Sequence, residues 1–297
     1  MKGKVVLITG GTSGIGKAVA TGIARMGARV VVVARNEKRG DDARKDIARK
    51  SGSGDVDVLV ADLSTRAAIR ELAAAFRGKY ERLDVLLNNA ATVTGTRRLT
   101  PEGFETQFFV NHLAYFMLTC LLIDVLRASA PSRVVNMAST AHSSGVIDFE
   151  DLQMSQRYTG WQAYANSKLA NVMFTYALAR RLEGTGVTAN CVHPGVIHTG
   201  LLRRYSFVLN ALFHALSVFF KKPEEGAVTP IYVATSPEVA NVTGKYFRRG
   251  APMGTSDASN DVAAQERLWE MSEEMTDCAG MIPPAPLAGS NRREVRT

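Results

Sequence analysis

The sequence has few cysteines and no cysteine pattern that could organise a fold. Its 297 residues contain three, Cys120, Cys191 and Cys278, which are widely spaced and include no C-x-x-C pair. An odd, scattered set of this kind argues against a disulfide framework and against a zinc site, and it fits a reducing compartment. We therefore expect no metal centre and a cytoplasmic location.

Long apolar runs at the N-terminus and concentrated blocks of charge are also missing. The apolar run Val5–Ile8 is far too short for the core of a signal peptide, so we expect no leader in this segment. The formal net charge is +8, but lysines and arginines alternate with acids, as in Glu37–Lys50. A nucleic-acid module needs a concentrated basic patch, so we expect no nucleic-acid partner. The charge favours a solvated surface that attracts an anionic cofactor.

No proline- or glycine-rich linker and no internal repeat divides the chain before about residue 276. Short β-branched runs alternate with longer helical stretches. The predicted strands are Lys4–Thr9, Arg29–Val33, Val56–Ala61, Leu83–Leu87, Arg133–Met137 and Val187–Val192. The predicted helices are Ile15–Met26, Glu37–Lys50, Thr65–Arg77, Pro101–Leu126 and Gln162–Leu182. Such alternation predicts an α/β fold, a single Rossmann-type doubly wound parallel sheet with helices on both faces, over residues 1–276. Residues 277–297, rich in proline, glycine and small residues, are predicted to be a flexible tail.

A glycine-rich turn follows the first predicted strand. It reads Thr9-Gly10-Gly11-Thr12-Ser13-Gly14-Ile15-Gly16 and has the spacing G-x3-G-x-G. Glycines allow a tight turn and close approach of the backbone to a pyrophosphate, and the next helix directs its free N–H groups at that anion. A tight turn without a ligand is the alternative. The position of the turn in a strand–helix–strand unit favours a dinucleotide site. The predicted contacts are Gly10, Thr12, Ser13, Gly14, Ile15 and Gly16.

The end of the second strand indicates which dinucleotide. An acidic residue about 20 positions beyond the glycines suits a ribose 2′-hydroxyl, whereas arginine suits a 2′-phosphate. This chain has Ala34-Arg35-Asn36 at that place. A guanidinium can grip a phosphate bidentately, although an arginine at a strand end can also be merely solvated. We predict NADP(H) in preference to NAD(H), with Arg35 and Asn36 among the contacts.

Tyr164 and Lys168 lie four residues apart in a predicted helix, which places both side chains on one face. Free tyrosine titrates near ~10 and is a poor base at neutral pH. A nearby ammonium is expected to stabilise the phenolate and lower that pKa. The pair could then exchange a proton with an alcohol or a carbonyl while a hydride moves to or from a nicotinamide. By itself the Y-x3-K pattern is common by chance.

Several further motifs accompany this pair in a fixed order. They are Asp62-Leu63, Asn88-Asn89-Ala90, Asn111, Asn136-Met137-Ala138-Ser139 and His193-Pro194-Gly195. With the glycine turn and Tyr164/Lys168, these residues resemble the short-chain dehydrogenase/reductase family over nearly the whole chain. Two positions depart from the family pattern. Ala91 replaces the usual glycine, and Ser13 stands where some NADP enzymes have a second basic residue.

The resemblance implies a role for each matching residue. Ser139 would hydrogen-bond the substrate oxygen beside the Tyr164 hydroxyl, and Lys168 would also contact the nicotinamide ribose. Asn111 would hold a water that links Lys168 to solvent. The other implied cofactor contacts are Asp62 and Leu63 at the adenine, Asn89 and Ala90 along the middle, and Pro194, Gly195 and Thr199 at the nicotinamide.

The segments Lys222–Ala227, Gly244–Phe247 and Leu268–Ser272 resemble the retinol-dehydrogenase-like branch, which implies an apolar alcohol, aldehyde or ketone as substrate. An apolar stretch, 205–220, is flanked by basic residues. It is shorter than the roughly 20 residues that span a bilayer. We predict a substrate lid over about 196–226, with a peripheral membrane contact, a core helix or an oligomer interface as alternatives for 205–220.

Three other functions remain open at this point. The chain could be a non-catalytic NADPH-binding regulator, although none of Ser139, Tyr164 and Lys168 is missing. It could be a related pigment or enone reductase of the same fold, which the sequence excludes only weakly. An extended-type sugar-nucleotide epimerase fits less well, because its glycine spacing differs and it carries a larger C-terminal domain.

Overall fold

A single eight-stranded sheet forms the centre of the protein. The computed structural model describes residues 1–195 and 222–285. The strands of the sheet are β1 Val5–Thr9, β2 Arg29–Ala34, β3 Val56–Val60, β4 Val85–Asn88, β5 Ser132–Met137, β6 Val187–His193, β7 Tyr246–Arg248 and β8 Ala251–Met253. Their order is β3-β2-β1-β4-β5-β6-β7-β8, and every neighbouring pair is parallel except β7 and β8.

Seven helices of more than two turns lie in the described part of the chain. They are α1 Gly14–Arg25, α2 Glu37–Ser51, α3 Arg66–Lys79, α4 Thr106–Ala128, α5 Gly160–Arg181, α6 Pro223–Thr235 and α7 Val262–Thr276. Helices α1, α2 and α6 pack in one apolar cluster, and α3, α4, α5 and α7 pack in another. Val6 and Ile8 of β1 belong to the first cluster, and Leu7 belongs to the second. Because successive strand residues point to opposite faces, the sheet is covered on both sides, which confirms the predicted doubly wound fold.

The strand order reverses between β1 and β4, since the chain first builds outward to β3 and then returns to the other side of β1. In an open parallel sheet, this reversal leaves a crevice at the carboxyl ends of the strands, where ligands bind. The glycine turn after β1 and the Asn-Asn-Ala motif after β4 therefore meet at the same edge of the sheet.

Several elements differ from the sequence-based prediction. The predicted helix Pro101–Leu126 begins only at Thr106, and it contains a π-helical turn over Phe109–Leu113. Strands β7 and β8 and helices α6 and α7 were not predicted. β7 and β8 have only three residues each, which is too short for the alternation of side chains to be recognised in sequence.

Helix α4 is long and apolar enough to span a membrane by length and composition, with a mean hydropathy of 1.8 over its most apolar window. However, 78% of that window is buried inside the protein. Its side chains Phe116 and Leu122 belong to the core cluster under the sheet. The apolar composition of α4 is therefore explained by the protein core.

The segment predicted as a flexible tail, 277–297, begins with residues that pack on the core. Cys278 and Ile282 are buried in the same core cluster as α4 and α7, and Asp277 forms an ion pair with Arg66 at 2.9 Å. The composition of this segment suggested a tail, but two apolar side chains fill space between helices and keep it on the core. Residues 286–297, the rest of the predicted tail, lie outside the described residues.

We expect Ile282→Ala to lower the free energy of unfolding by about 3 kcal/mol, because it removes a buried branched side chain and leaves a cavity. Ile282 is 2% exposed, whereas its neighbour Met281 is 36% exposed. The control Met281→Ala should cost less than about 1 kcal/mol. Equal losses in urea denaturation of the two variants would contradict the packing of this segment.

Candidate active site

The glycine turn forms a cradle that side chains would fill. Gly10 and Gly14 have φ of +66° and +54°, in the left-handed region that favours glycine. A Cβ on Gly10 would lie 2.8 Å from the Ala90 Cα, and one on Gly16 would lie 2.4 Å from the Gly10 carbonyl oxygen. Helix α1 begins at Gly14 directly behind the turn, so its unpaired N–H groups face the space in front of it. This geometry suits an anion such as a pyrophosphate.

Asn89 braces the turn from the neighbouring strand. Its side-chain amide donates to the carbonyl oxygens of Thr9 and Gly10 at 2.9 and 3.2 Å. The Thr9 hydroxyl accepts from the backbone N–H groups of Asn89 and Ala90 at 2.8 and 3.0 Å. These bonds fix the ends of β1 and β4 to each other. The predicted contact residue Asn89 thus also shapes the floor of the site.

A cavity of about 830 Å³ extends from this turn along the carboxyl ends of the strands. Its size is within the range of cofactor sites. The predicted residues that line it are Gly10, Thr12, Ser13, Gly14, Ile15, Gly16, Arg35, Asp62, Leu63, Asn89, Ala90, Tyr164, Lys168 and Pro194. Most of the predicted cofactor contacts therefore share one cavity with the predicted catalytic pair.

A second guanidinium lies at the end of the cavity beyond β2. Arg39, in the first turn of α2, lines the cavity together with Arg35. Asn36 caps α2: its side-chain oxygen accepts from the Arg39 N–H at 3.0 Å, and its contact with a cofactor stays a prediction. Sequence reasoning missed Arg39, although the helix start predicted at Glu37 already placed an arginine in the first turn.

Tyr164 and Lys168 line the other end of the cavity, and Ser139 lies beside Tyr164. The Lys168 Nζ lies 5.7 Å from the centroid of the Tyr164 ring. The Ser139 hydroxyl lies close enough to the Tyr164 phenol to lower its pKa, and it accepts from the Ala141 N–H at 3.2 Å. Lys168 donates to the Met137 carbonyl at 3.0 Å. The structure therefore brings together the three side chains that the sequence predicted to meet.

Burial dominates the acid–base properties of this pair. It raises the pKa of Tyr164 above its ordinary value, and the hydrogen bond from Ser139 opposes it with a smaller effect. Burial lowers the pKa of Lys168 from 10.5 to about 7. The sequence led us to expect that Lys168 lowers the pKa of Tyr164; in the protein alone, loss of hydration outweighs that effect. Near neutral pH, Lys168 is balanced between ammonium and amine.

Asn111 lies in the π-helical turn of α4 and is buried. Its side-chain oxygen accepts from the Thr92 N–H at 2.7 Å, and its amide donates to the Thr92 carbonyl at 3.0 Å and the Ser167 hydroxyl at 3.1 Å. Its backbone carbonyl accepts from the Asn171 amide at 2.8 Å. The side chain of Asn111 therefore fixes the loop after β4 to α5, and its part in holding the predicted water stays a prediction.

The turn after β6 borders the cavity at the end where the nicotinamide is expected. Pro194 lines the cavity, and Gly195 has φ of +91°. Thr199, most of the predicted lid 196–226 and the apolar stretch 205–220 lie outside the described residues. Their roles, the membrane contact and the cytoplasmic location stay predictions. Pro223, at the start of α6, lines the cavity and was missed.

The residues at hand fit a dinucleotide, because a glycine cradle, two guanidinium groups and a Tyr–Lys pair surround one cavity. A family model described as short chain dehydrogenase matches residues 4–206. The chain belongs to the short-chain dehydrogenase family. It is an oxidoreductase of this family and is similar to retinol dehydrogenases.

Retinol dehydrogenase 12 of Mus musculus is 43% identical over 273 residues, which cover 92% of this chain and 86% of that protein. Retinol dehydrogenase 14 of Homo sapiens is 42% identical over 291 residues, covering 93% and 87%.

Solved structures show the same fold. An uncharacterized protein from Mycobacterium paratuberculosis has a TM-score of 0.76 and 32% identity, with 96% of each chain covered. The RhlG/NADP active-site complex of Pseudomonas aeruginosa has a TM-score of 0.68 and 30% identity, and the match covers 84% of this chain and 96% of that one. The family and this complex support the predicted nicotinamide cofactor.

Proposed function

We propose that this protein interconverts an apolar alcohol and its aldehyde or ketone with NADP(H). The observation that carries the proposal is the single cavity that joins the glycine turn and two arginines to Tyr164 and Lys168. A dinucleotide with its pyrophosphate at the turn and its adenosine at the arginines has its nicotinamide end beside Tyr164. A bound nicotinamide supplies the hydride donor in reduction and the hydride acceptor in oxidation.

Tyr164 is the group that moves the proton in this proposal. Its phenol gives a proton to the carbonyl oxygen in reduction, and its phenolate takes one from the hydroxyl in oxidation. Ser139, which lies beside Tyr164, holds the substrate oxygen next to that phenol. Lys168 stabilises the phenolate and holds the ribose hydroxyls, and the carbonyl of Asn111 holds a water that reaches Lys168.

Two cationic side chains support the choice of NADP(H). Arg35 and Arg39 both line the cavity beyond β2, where the adenosine ribose is expected. An Asp or Glu, which would bind a ribose 2′-hydroxyl and repel a 2′-phosphate, is missing at position 35. Two guanidinium groups can share one phosphate through charge-assisted hydrogen bonds.

An exposed tryptophan supports an apolar substrate. Trp161 lies in the first turn of α5 with 56% of its surface exposed, and its ring centroid is 6.0 Å from that of Tyr164. An indole in this position can cover the carbon chain of a substrate whose oxygen reaches Tyr164. The names of the retinol dehydrogenases, to which the chain is similar, point to the same class of long, apolar alcohol.

The test is a panel of aldehydes with NADPH, followed by the loss of NADPH absorbance. We expect retinal and long-chain aldehydes to react with a higher kcat/KM than short polar aldehydes. Trp161→Ala should raise the KM for retinal by about 10-fold. Without the indole, about half of the apolar surface of the ring of retinal is no longer covered. Its effect on a short aldehyde should be less than about twofold.

Val262→Ala is the matched control, since Val262 is an equally exposed apolar side chain at the start of α7. We expect it to leave both KM values unchanged. No turnover of any aldehyde or alcohol with either NADPH or NADH would contradict the proposed function. A preference for short polar aldehydes would contradict the apolar substrate.

A further inference from the structure

The side chain of Lys168 lies between two tyrosine rings. Its Nζ is 5.7 Å from the centroid of Tyr164 and 5.6 Å from the centroid of Tyr115, which belongs to α4 on the opposite side. Lys168 is buried, and its hydrogen bond is to the Met137 carbonyl at 3.0 Å. An ammonium has three donors, of which one has a hydrogen-bond partner within residues 1–195 and 222–285. Two aromatic rings lie within the distance of a cation–π contact from its Nζ.

Tyr115 is a buried residue whose hydroxyl is not used for hydrogen bonding within the described residues. The side chain is 1% exposed, and its phenolic oxygen has no partner there. A buried hydroxyl without a partner destabilises the fold, so this side chain needs another explanation. Its ring, which faces the Lys168 ammonium within the distance of a cation–π contact, provides one.

We propose that the ring of Tyr115 is a positioning residue that keeps Lys168 in its ammonium form, so that Lys168 can stabilise the Tyr164 phenolate. The negative face of the ring replaces part of the hydration that burial removes from the cation. This role rests on the proposed function of Tyr164 and Lys168, but the protonation of Lys168 can be measured without turnover.

The other groups around Lys168 do not supply a counter-charge. Tyr164 comes from the same helix, and His112 of α4 lies close enough for the charge of Lys168 to lower the imidazole pKa. Burial lowers the pKa of His112 to about 4, so this imidazole is neutral at pH 7. From β5, Lys168 meets the uncharged Met137 carbonyl, and Ser139 contributes only a hydroxyl. Within the described residues, no Asp or Glu forms an ion pair with Lys168.

The pKa of Lys168 near 7 makes this contact decisive at neutral pH. If the ammonium form of Lys168 is destabilised further, Lys168 loses its proton below neutral pH. The phenolate of Tyr164 then loses its neighbouring positive charge, and its own pKa rises. Alcohol oxidation, which needs the phenolate, would then begin only at higher pH. Loss of the Tyr115 ring should thus lower the pKa of Lys168 and move the acid limb of the oxidation profile upward.

Two measurements test the proposal with Tyr115→Phe and Tyr115→Leu. Proton-coupled NMR of ¹³C-labelled lysine, with the Lys168 signal assigned from Lys168→Met, gives the pKa of Lys168 directly. We expect Tyr115→Leu to lower it by about one pH unit and Tyr115→Phe to leave it within about 0.3. The acid limb of kcat/KM for alcohol oxidation should move upward by a similar amount in the leucine variant only.

Phe116→Leu is the control for loosened packing, because Phe116 is the next residue of α4 but contacts Phe174 and Trp269 instead of Lys168. It should lower stability and leave the pKa of Lys168 unchanged. An unchanged pKa in Tyr115→Leu, or an equal decrease in Tyr115→Phe, would overturn the proposal. If the pKa shifts as expected but no alcohol is oxidised by the wild type, the proposed function fails and the Tyr115–Lys168 contact stands.

Discussion

Tyr164→Phe is expected to lower kcat by about 10³-fold and to change the dissociation constant of NADPH by less than about twofold. The substitution removes one hydroxyl, which is the proton donor or acceptor, and keeps the ring that packs against Lys168. Ser139 can still bind the substrate oxygen, and the glycine turn and the arginines that hold the cofactor are unchanged. Steady-state kinetics with retinal and a fluorescence titration with NADPH would separate the two effects.

Tyr176→Phe is the matched control. Tyr176 lies three turns further along α5, and its hydroxyl is bonded to Thr255 at 2.9 Å rather than directed at the cavity. We expect less than about a twofold change in kcat for this variant. A Tyr164→Phe protein that retains more than about one tenth of the wild-type kcat would show that another group moves the proton.

Arg35→Asp is expected to raise the dissociation constant of NADPH by about 100-fold and to leave that of NADH unchanged or lower. The change removes a guanidinium from the end of the cavity beyond β2 and puts there a carboxylate, which repels a 2′-phosphate and can bind a ribose 2′-hydroxyl. Arg39→Asp should have a smaller effect in the same direction, because Arg39 lines the same end of the cavity. Titrations with NADPH and NADH give the ratio of the two dissociation constants.

Arg44→Asp makes the same charge change on the exposed side of α2, where Arg44 pairs with Asp41. It should leave the dissociation constants of NADPH and NADH within about twofold of the wild-type values, because salt screens an exposed charge on this side of α2. If Arg35→Asp lowers NADPH affinity no more than Arg44→Asp does, the preference for NADP(H) has no basis in Arg35.

The strands β1 to β6 and the glycine turn could be predicted because each rests on a local signal. Apolar runs such as Arg29–Val33 and the spacing of Gly10, Gly14 and Gly16 are readable without knowledge of the packing. Tyr164 and Lys168 are also local, since a helix fixes the relation of residues four apart. The order of the motifs then allowed Ser139 to be assigned to the same site.

Tyr115 could not be found in this way. Its contact with Lys168 depends on two helices packing against each other, and the π-helical turn over Phe109–Leu113 changes the phase of α4 just before it. The burial of Cys278 and Ile282 likewise depends on space left between distant helices, whereas their sequence neighbourhood resembles a tail. Both features are set by tertiary packing.

The pKa values of Tyr164 and Lys168 also depend on tertiary packing and could not be predicted from the sequence. From the sequence, the proximity of Lys168 to Tyr164 suggested a stabilised phenolate. In the structure Lys168 is buried and Tyr164 is half-buried, and loss of hydration sets the direction of each pKa. The charge of Lys168 therefore depends on what surrounds it, which is why the ring of Tyr115 matters.

Transfer of deuterium to an apolar aldehyde, from NADPH in which both hydrogens at C4 are deuterium, tests the central claim most directly. The claim predicts that retinal incubated with this cofactor and the wild-type protein gives retinol that carries one deuterium per NADPH consumed, as read by mass spectrometry. Tyr164→Phe should give about 10³-fold less labelled product over the same time. NADPH binding without deuterium in any alcohol product, across the aldehyde panel, would contradict it.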